Sequence, residues 1–154
     1  MFITLLITMF LVGLTVLIHF EALRWLSAFM LSPHSRPRLG LLVCMLGAML
    51  AHVIEIWVFG VGYCYLTEFD QLGSLVGDFA HTQGDCGYYS FVTYTTLGFG
   101  DLIPKGPIRF LTGMAALTGF LLITWTASYM YFKCNRVGKR ILHHNAILLL
   151  GTGI

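Results

Sequence analysis

Residues 88–101 read Tyr-Tyr-Ser-Phe-Val-Thr-Tyr-Thr-Thr-Leu-Gly-Phe-Gly-Asp, and this stretch decides the fold. It begins aromatic and apolar, then alternates glycine with larger side chains. The apolar part, Tyr88 to Phe99, is too short to cross a bilayer, which takes about 20 helical residues. Its neighbours are long enough. Leu39–Leu66 precedes it, Ile108–Phe132 follows it, and a further apolar stretch, Phe2–Phe20 with helix continuing to Leu31, opens the chain. A short segment between two spans can re-enter the membrane only where protein buries its non-helical backbone or where that backbone lines a wet path.

Composition points the same way. Of 154 residues, 57% are hydrophobic, 14% aromatic and only 10% charged, with mean hydropathy +0.80. So few charges cannot cover the apolar surface of a small chain in water. A soluble enzyme, a disordered chain and a nucleic-acid-binding module are excluded. No nucleophile elbow, HExxH or phosphate loop is present, and catalysis has no support. Four cysteines are too few for a disulfide scaffold. The first stretch lacks the basic start and small-residue cleavage site of a signal peptide, so it reads as a retained helix. Glu21 and Arg24 follow it three apart on one helix face, placed to pair near the interface.

Lys and Arg set the orientation. Arg24, Arg36 and Arg38 lie in or just before the Ser32–Arg38 loop, and Lys133, Arg136, Lys139 and Arg140 follow the third span. The connection between the second and third spans holds Glu68, Asp70, Asp78, Asp85 and Asp101 against Lys105 and Arg109. The basic segments are expected in the cytoplasm, the acidic connection and the N-terminus outside, the C-terminus inside, and the chain in the plasma (cell inner) membrane. Three parts follow: 1–38, an extra N-terminal helix and basic loop; 39–133, a pore-like unit; and 134–154, a basic and apolar tail.

Tyr88–Thr95 is expected as a two-turn helix of roughly 12 Å. Its C-terminal end would point to the membrane centre, where the negative end of the helix dipole favours a cation. Then come Thr96, Leu97, Gly98, Phe99 and Gly100. Glycine at every second position allows backbone angles that other residues resist. Consecutive carbonyls can then face one axis while Leu97 and Phe99 point away and brace the strand. Thr96 adds a hydroxyl. Such a strand offers oxygens in place of water around a dehydrated cation.

Thr-Thr-Leu-Gly-Phe-Gly-Asp, residues 95–101, resembles the selectivity filter of the potassium-channel pore-loop superfamily, whose familiar form is Thr-Val-Gly-Tyr-Gly. With the outer, pore and inner helices, the resemblance covers about residues 39–133. It implies an all-α membrane protein with three transmembrane helices, a re-entrant pore helix and a filter loop. It implies that Thr96, Leu97, Gly98 and Phe99 supply K+-binding carbonyls, that Gly100 forms the outer mouth, and that Asp101 hydrogen-bonds behind the filter to Tyr88 or Tyr89. Leu97 stands for Val, and Phe99 for Tyr, so the bracing hydroxyl is lost. Val92 occupies a position that is acidic in some relatives, so that brace is absent too. The filter is fourfold, and one copy per chain implies a closed homotetramer. The partners implied are this chain itself, membrane lipid and K+, with no nucleic acid and no cofactor beyond the permeant ion.

Other residues carry open alternatives. His52 and Glu55 lie three apart near the middle of the second span, where an ionisable group is costly and faces the bundle interior. Glu55 either holds the pore helix or Thr95, or forms a proton-sensitive gate with His52. A metal site with two ligands is too small. His19 reads as interfacial, without a role. Cys64 and Cys86, both on the outer side, either form a disulfide or remain free buried thiols. Leu117, Leu121, Thr124, Ser128 and Tyr131 share a face of the third span. Thr124 and Ser128 either line the cavity below the filter or bond their own backbone or a neighbouring helix. Gly113 and Gly119 allow close packing or a bend. No Arg-every-third-residue helix is present, so a voltage sensor is not evident.

The function expected is passive potassium conduction. Rival readings are a pore for monovalent cations in general and an accessory subunit of an ion-transport complex. The single filter loop argues against the latter, since transporters with filter-like loops carry four in one chain.

Overall fold

The computed structural model describes residues 1–31 and 37–151, with side chains at 1–29 and 39–139. Residues 32–36 of the expected basic loop, and the side chains of Arg38, Arg140, His143 and His144, lie outside these described residues, while residues 37 and 38, expected in that loop, are already helical. Four helices carry the fold: α1 (Phe2–Leu31), α2 (Pro37–Thr67), the short α3 (Gln83–Tyr94) and α4 (Ile108–Gly151). Three of them, α1, α2 and α4, are long and apolar enough to cross a membrane. The chain is thus an all-α membrane protein in its main lines. α4 runs unbroken past 133, so the tail expected from 134 is helix through Gly151.

One element was not anticipated. Strand β1 (Ser74–Gly77) pairs antiparallel with β2 (Leu102–Lys105), setting Ser74 opposite Lys105 and Gly77 opposite Leu102. The strands are short and carry proline and glycine, so their sequence reads as loop. Their pairing closes the segment holding α3 and residues 95–101 into one loop with both ends fixed.

α3 also starts five residues before the expected Tyr88. Its first turn is held by a capping box. The Asp85 amide donates to Thr82 Oγ1 at 3.1 Å, and the Thr82 amide donates back to the Asp85 carboxylate at 3.3 Å. These bonds hold the Asp85 carboxyl below the ordinary aspartate range, with the Thr82 side chain the largest cause.

Buried positions follow helical spacing. On α2 they include Cys44, Ala48, Ala51, Glu55, Phe59, Tyr63 and Leu66, and on α4 Ile108, Leu111, Ala115, Thr118 and Leu122. On α1 the buried stripe is Thr4, Thr8, Leu11, Thr15, His19 and Leu23. Polar side chains thus face protein while Phe2, Phe10, Leu17 and Phe20 face outward. This inversion suits lipid, where small polar residues mediate helix contact. Thr8 and Thr15 satisfy their hydroxyls on the carbonyls of Thr4 and Leu11.

The core lies where α2, α3, α4 and the two strands meet, around Phe59, Tyr63, Tyr89, Tyr94, Leu102 and Leu111. Tyr63 and Tyr89 meet edge to face at 4.8 Å, an arrangement worth about 1 kcal/mol beyond burial. A disulfide joins Cys64 of α2 to Cys86 of α3, 22 residues apart. Replacing both by serine should cost about 3 kcal/mol, the value for loop closure at this length. Denaturation in micelles would read this as a lower midpoint, reproduced in the wild type by reduction. Cys44 and Cys134 are free.

Candidate functional site

α3 is wedged between α2 and α4 by its own side chains. Ser90 Oγ donates to the Ile56 carbonyl at 2.6 Å, and the Tyr89 hydroxyl meets Thr112 Oγ1 at 3.1 Å. The Tyr94 hydroxyl donates to Glu55. Gly119 of α4 lies directly against the Tyr94 carbonyl, leaving no room for a Cβ. The close-packing reading of this glycine is the one the structure displays. Gly113 has open space around it.

The end of α3 leads straight into the filter-like strand. The Thr95 amide and Oγ1 both bond the Phe91 carbonyl, at 3.1 and 2.7 Å. Thr95 therefore bonds its own helix and does not meet Glu55, correcting one of the expected partners. The Thr96 amide donates to the Thr93 carbonyl at 3.0 Å. The amides of Leu97 and Gly98 both donate to the Val92 carbonyl, at 3.0 and 3.4 Å. These bonds turn the amides of 96–98 back towards α3. Among the described residues, no backbone amide outside the helices and strands donates to the carbonyls of Thr96, Leu97, Gly98, Phe99 or Gly100.

Positive φ occurs at every second residue here: Thr96 at 61°, Gly98 at 55° and Gly100 at 82°. Threonine seldom adopts this region, and here it is held there by the bonds around it. The sequence reading placed the alternation at the two glycines alone; the structure extends it to Thr96. Leu97 and Phe99 are 57% and 67% exposed in the single chain. Within the chain, the strand is tied to α3 by the amide bonds to Val92. Behind the strand, the Tyr88 hydroxyl donates to the Asp101 carboxylate at 2.7 Å. That bond is the largest cause holding the Asp101 carboxyl below its ordinary range. Tyr89 points elsewhere, to Thr112.

On α4, Leu117, Leu121, Thr124, Ser128 and Tyr131 are all exposed in the single chain. Thr124 Oγ1 donates to the Phe120 carbonyl at 2.7 Å, so its hydroxyl bonds its own helix on that open face.

A second polar cluster lies deeper. His52 and Glu55 are joined by residues that sequence reasoning missed: His19, Tyr94 and Thr126. His19 is fully buried, not interfacial. Its Nδ1 lies 3.0 Å from Glu55 Oε1, and its Nε2 lies 3.3 Å from Thr126 Oγ1. His52 Nδ1 lies 3.2 Å from Glu55 Oε2 and 3.1 Å from the Tyr94 hydroxyl, and its Nε2 lies 3.0 Å from Thr126 Oγ1. The cluster ties α1, α2, α3 and α4 together one residue before Thr95. The sequence did hold a signal: His19 follows Thr4, Thr8 and Thr15 at helical spacing. At the surface, Arg24 pairs with Glu21 at 2.8 Å.

Compared with known proteins, residues 51–132 match a family model described as ion channel. The match runs from the middle of α2 through α3 and the filter-like strand into α4, and it covers just over half of the chain. No curated protein and no solved structure matches.

Proposed function

This chain belongs to the ion channel family and to the potassium-channel pore-loop superfamily, and from that premise we propose that it conducts K+ passively through a pore built from four copies of itself. The observation that carries the proposal is the strand 96–100, with φ positive at every second residue and carbonyls left free of backbone amides. Free carbonyls in series are what replaces the hydration shell of K+ in such filters. Thr96, Leu97, Gly98 and Phe99 are the proposed K+ ligands, and Gly100 the mouth. One strand gives one wall, and fourfold closure gives the site. The exposed Leu97 and Phe99 then find cover on adjacent copies. Thr124 and Ser128, on the open face of α4, line the water-filled space below.

The acidic connection and the Cys64–Cys86 bridge support an outer position for the filter end, because disulfides persist in oxidising compartments. The N-terminus is then outside and the C-terminus cytoplasmic in a plasma membrane.

Purified protein in liposomes tests the reading: K+ flux without any partner, and a reversal potential that follows the K+ gradient when Na+ opposes it. A reversal potential insensitive to exchanging K+ for Na+ favours the second reading, a general monovalent-cation pore. Phe99 motivates that reading, since it lacks a bracing hydroxyl. Tyr88→Phe, which removes the bond to Asp101, should lower the K+ to Na+ permeability ratio several-fold while current persists. Reversal potentials in mixed salt measure it.

A further inference from the structure

The buried cluster below the filter contains one more donor than its sequence shows. With two candidate ligands on α2, a metal site is too small; α1 brings the third. The ligand atoms of His19, His52 and Glu55 all lie within 4.8 Å of one another. We propose that His19, His52 and Glu55 form a binding site for a divalent transition-metal ion of zinc's class, fastening α1 to the pore unit.

The spacing fits the chemistry. Tetrahedral bonds of about 2.0 Å place ligand atoms about 3.3 Å apart. Here His19 Nδ1 lies 3.0 Å from Glu55 Oε1 and His52 Nδ1 3.2 Å from Glu55 Oε2, one imidazole on each carboxylate oxygen. Two imidazoles and a carboxylate are the donors that zinc and its neighbours accept. The outer partners are in place as well. A ligating histidine usually donates its other N–H to a fixed acceptor, which sets the tautomer and ring orientation. Both Nε2 atoms face the same oxygen, Thr126 Oγ1, at 3.3 and 3.0 Å. That oxygen has lone pairs for two N–H groups, so with metal bound both imidazoles can carry their proton on Nε2 and offer the ion the Nδ1 atoms that here face Glu55. His19 is further held by Trp125, its ring centroid 5.5 Å away.

The fourth corner is supplied by Tyr94. Its oxygen lies 3.1 Å from His52 Nδ1 and hydrogen-bonds Glu55. Ligated as phenolate, its proton released to solvent, it balances the site: two positive charges against carboxylate and phenolate. A charge-balanced site answers the cost of a carboxylate at membrane depth. Metal binding here is independent of which ion the pore passes.

The test uses the full chain in lipid nanodiscs, stripped with EDTA and titrated with Co2+. The expected result is one Co2+ per chain, with the intense visible absorption of four-coordinate cobalt and no thiolate charge-transfer band. Zn2+ should displace it and raise the melting temperature of the wild type. His19→Gln and Glu55→Gln should each weaken binding about tenfold or more, as loss of a group in a metal's surroundings does. Cys134→Ser should leave binding unchanged. Absence of saturable binding to folded wild type overturns the proposal, as does a thiolate band or binding that both glutamine variants retain in full. The wild-type titration decides the matter even where a variant fails to fold.

Discussion

Gly98→Ala is expected to abolish K+ flux while the protein still inserts and assembles. Gly98 sits at φ 55°, and its amide is tied to the Val92 carbonyl. An added Cβ meets nothing within 4 Å in the chain, so no clash unfolds the subunit. The penalty is conformational: an L-residue in the left-handed region costs roughly 1 kcal/mol. In a fourfold filter that cost recurs in each copy. A total of roughly 4 kcal/mol lowers the population of the conducting backbone about a thousandfold. Liposome flux measures the loss, and the mass of the particle in detergent checks the assembly. Unaltered flux and ion preference would sink the filter assignment.

Gly119→Ala should act by sterics and strike stability. Its Cβ would overlap the Tyr94 carbonyl and sit 2.9 Å from that ring's Cδ1. Backbone cannot swing aside as a side-chain tip does, so α4 must back away from α3. Overpacking of this kind costs about 3 kcal/mol or more. The push also reaches Tyr94, which precedes Thr95 and holds Glu55. Gly113→Ala is the matched control: its site is open, and alanine in place of helical glycine gains up to about 1 kcal/mol. Denaturation midpoints should therefore separate the pair by several kcal/mol, with Gly119→Ala lower than wild type and Gly113→Ala equal or higher.

The two spans around the filter-like strand, and the strand's unusual backbone, were legible because each leaves a strong local mark. A long apolar run means a span, and glycine alternating with bulk means unusual backbone. The start of α3 was not legible. Its cap uses Asp85 where Glu or Gln is the usual partner, and Gln83, Gly84 and Asp85 resemble a loop. The β1–β2 pair was missed because four-residue strands gain their stability from partners distant in sequence. α1 was the hardest. It is apolar all round, so hydrophobicity marks no face, and the side that meets protein is the more polar one. Only the recurrence of Thr4, Thr8, Thr15 and His19 marks it. Because that face went unread, the cluster around Glu55 looked like a pair when it joins four helices.

The placing of α1 has a mechanical consequence. Ser27 hydrogen-bonds the Tyr129 hydroxyl at 2.9 Å, and His19 meets Thr126 nearly a helical turn nearer the filter. Both contacts grip α4 beyond Gly119, where it leaves the end of α3. Any splaying of that part must either carry α1 along as a strap or tear both fastenings, so α1 works as a brake on α4 within the chain.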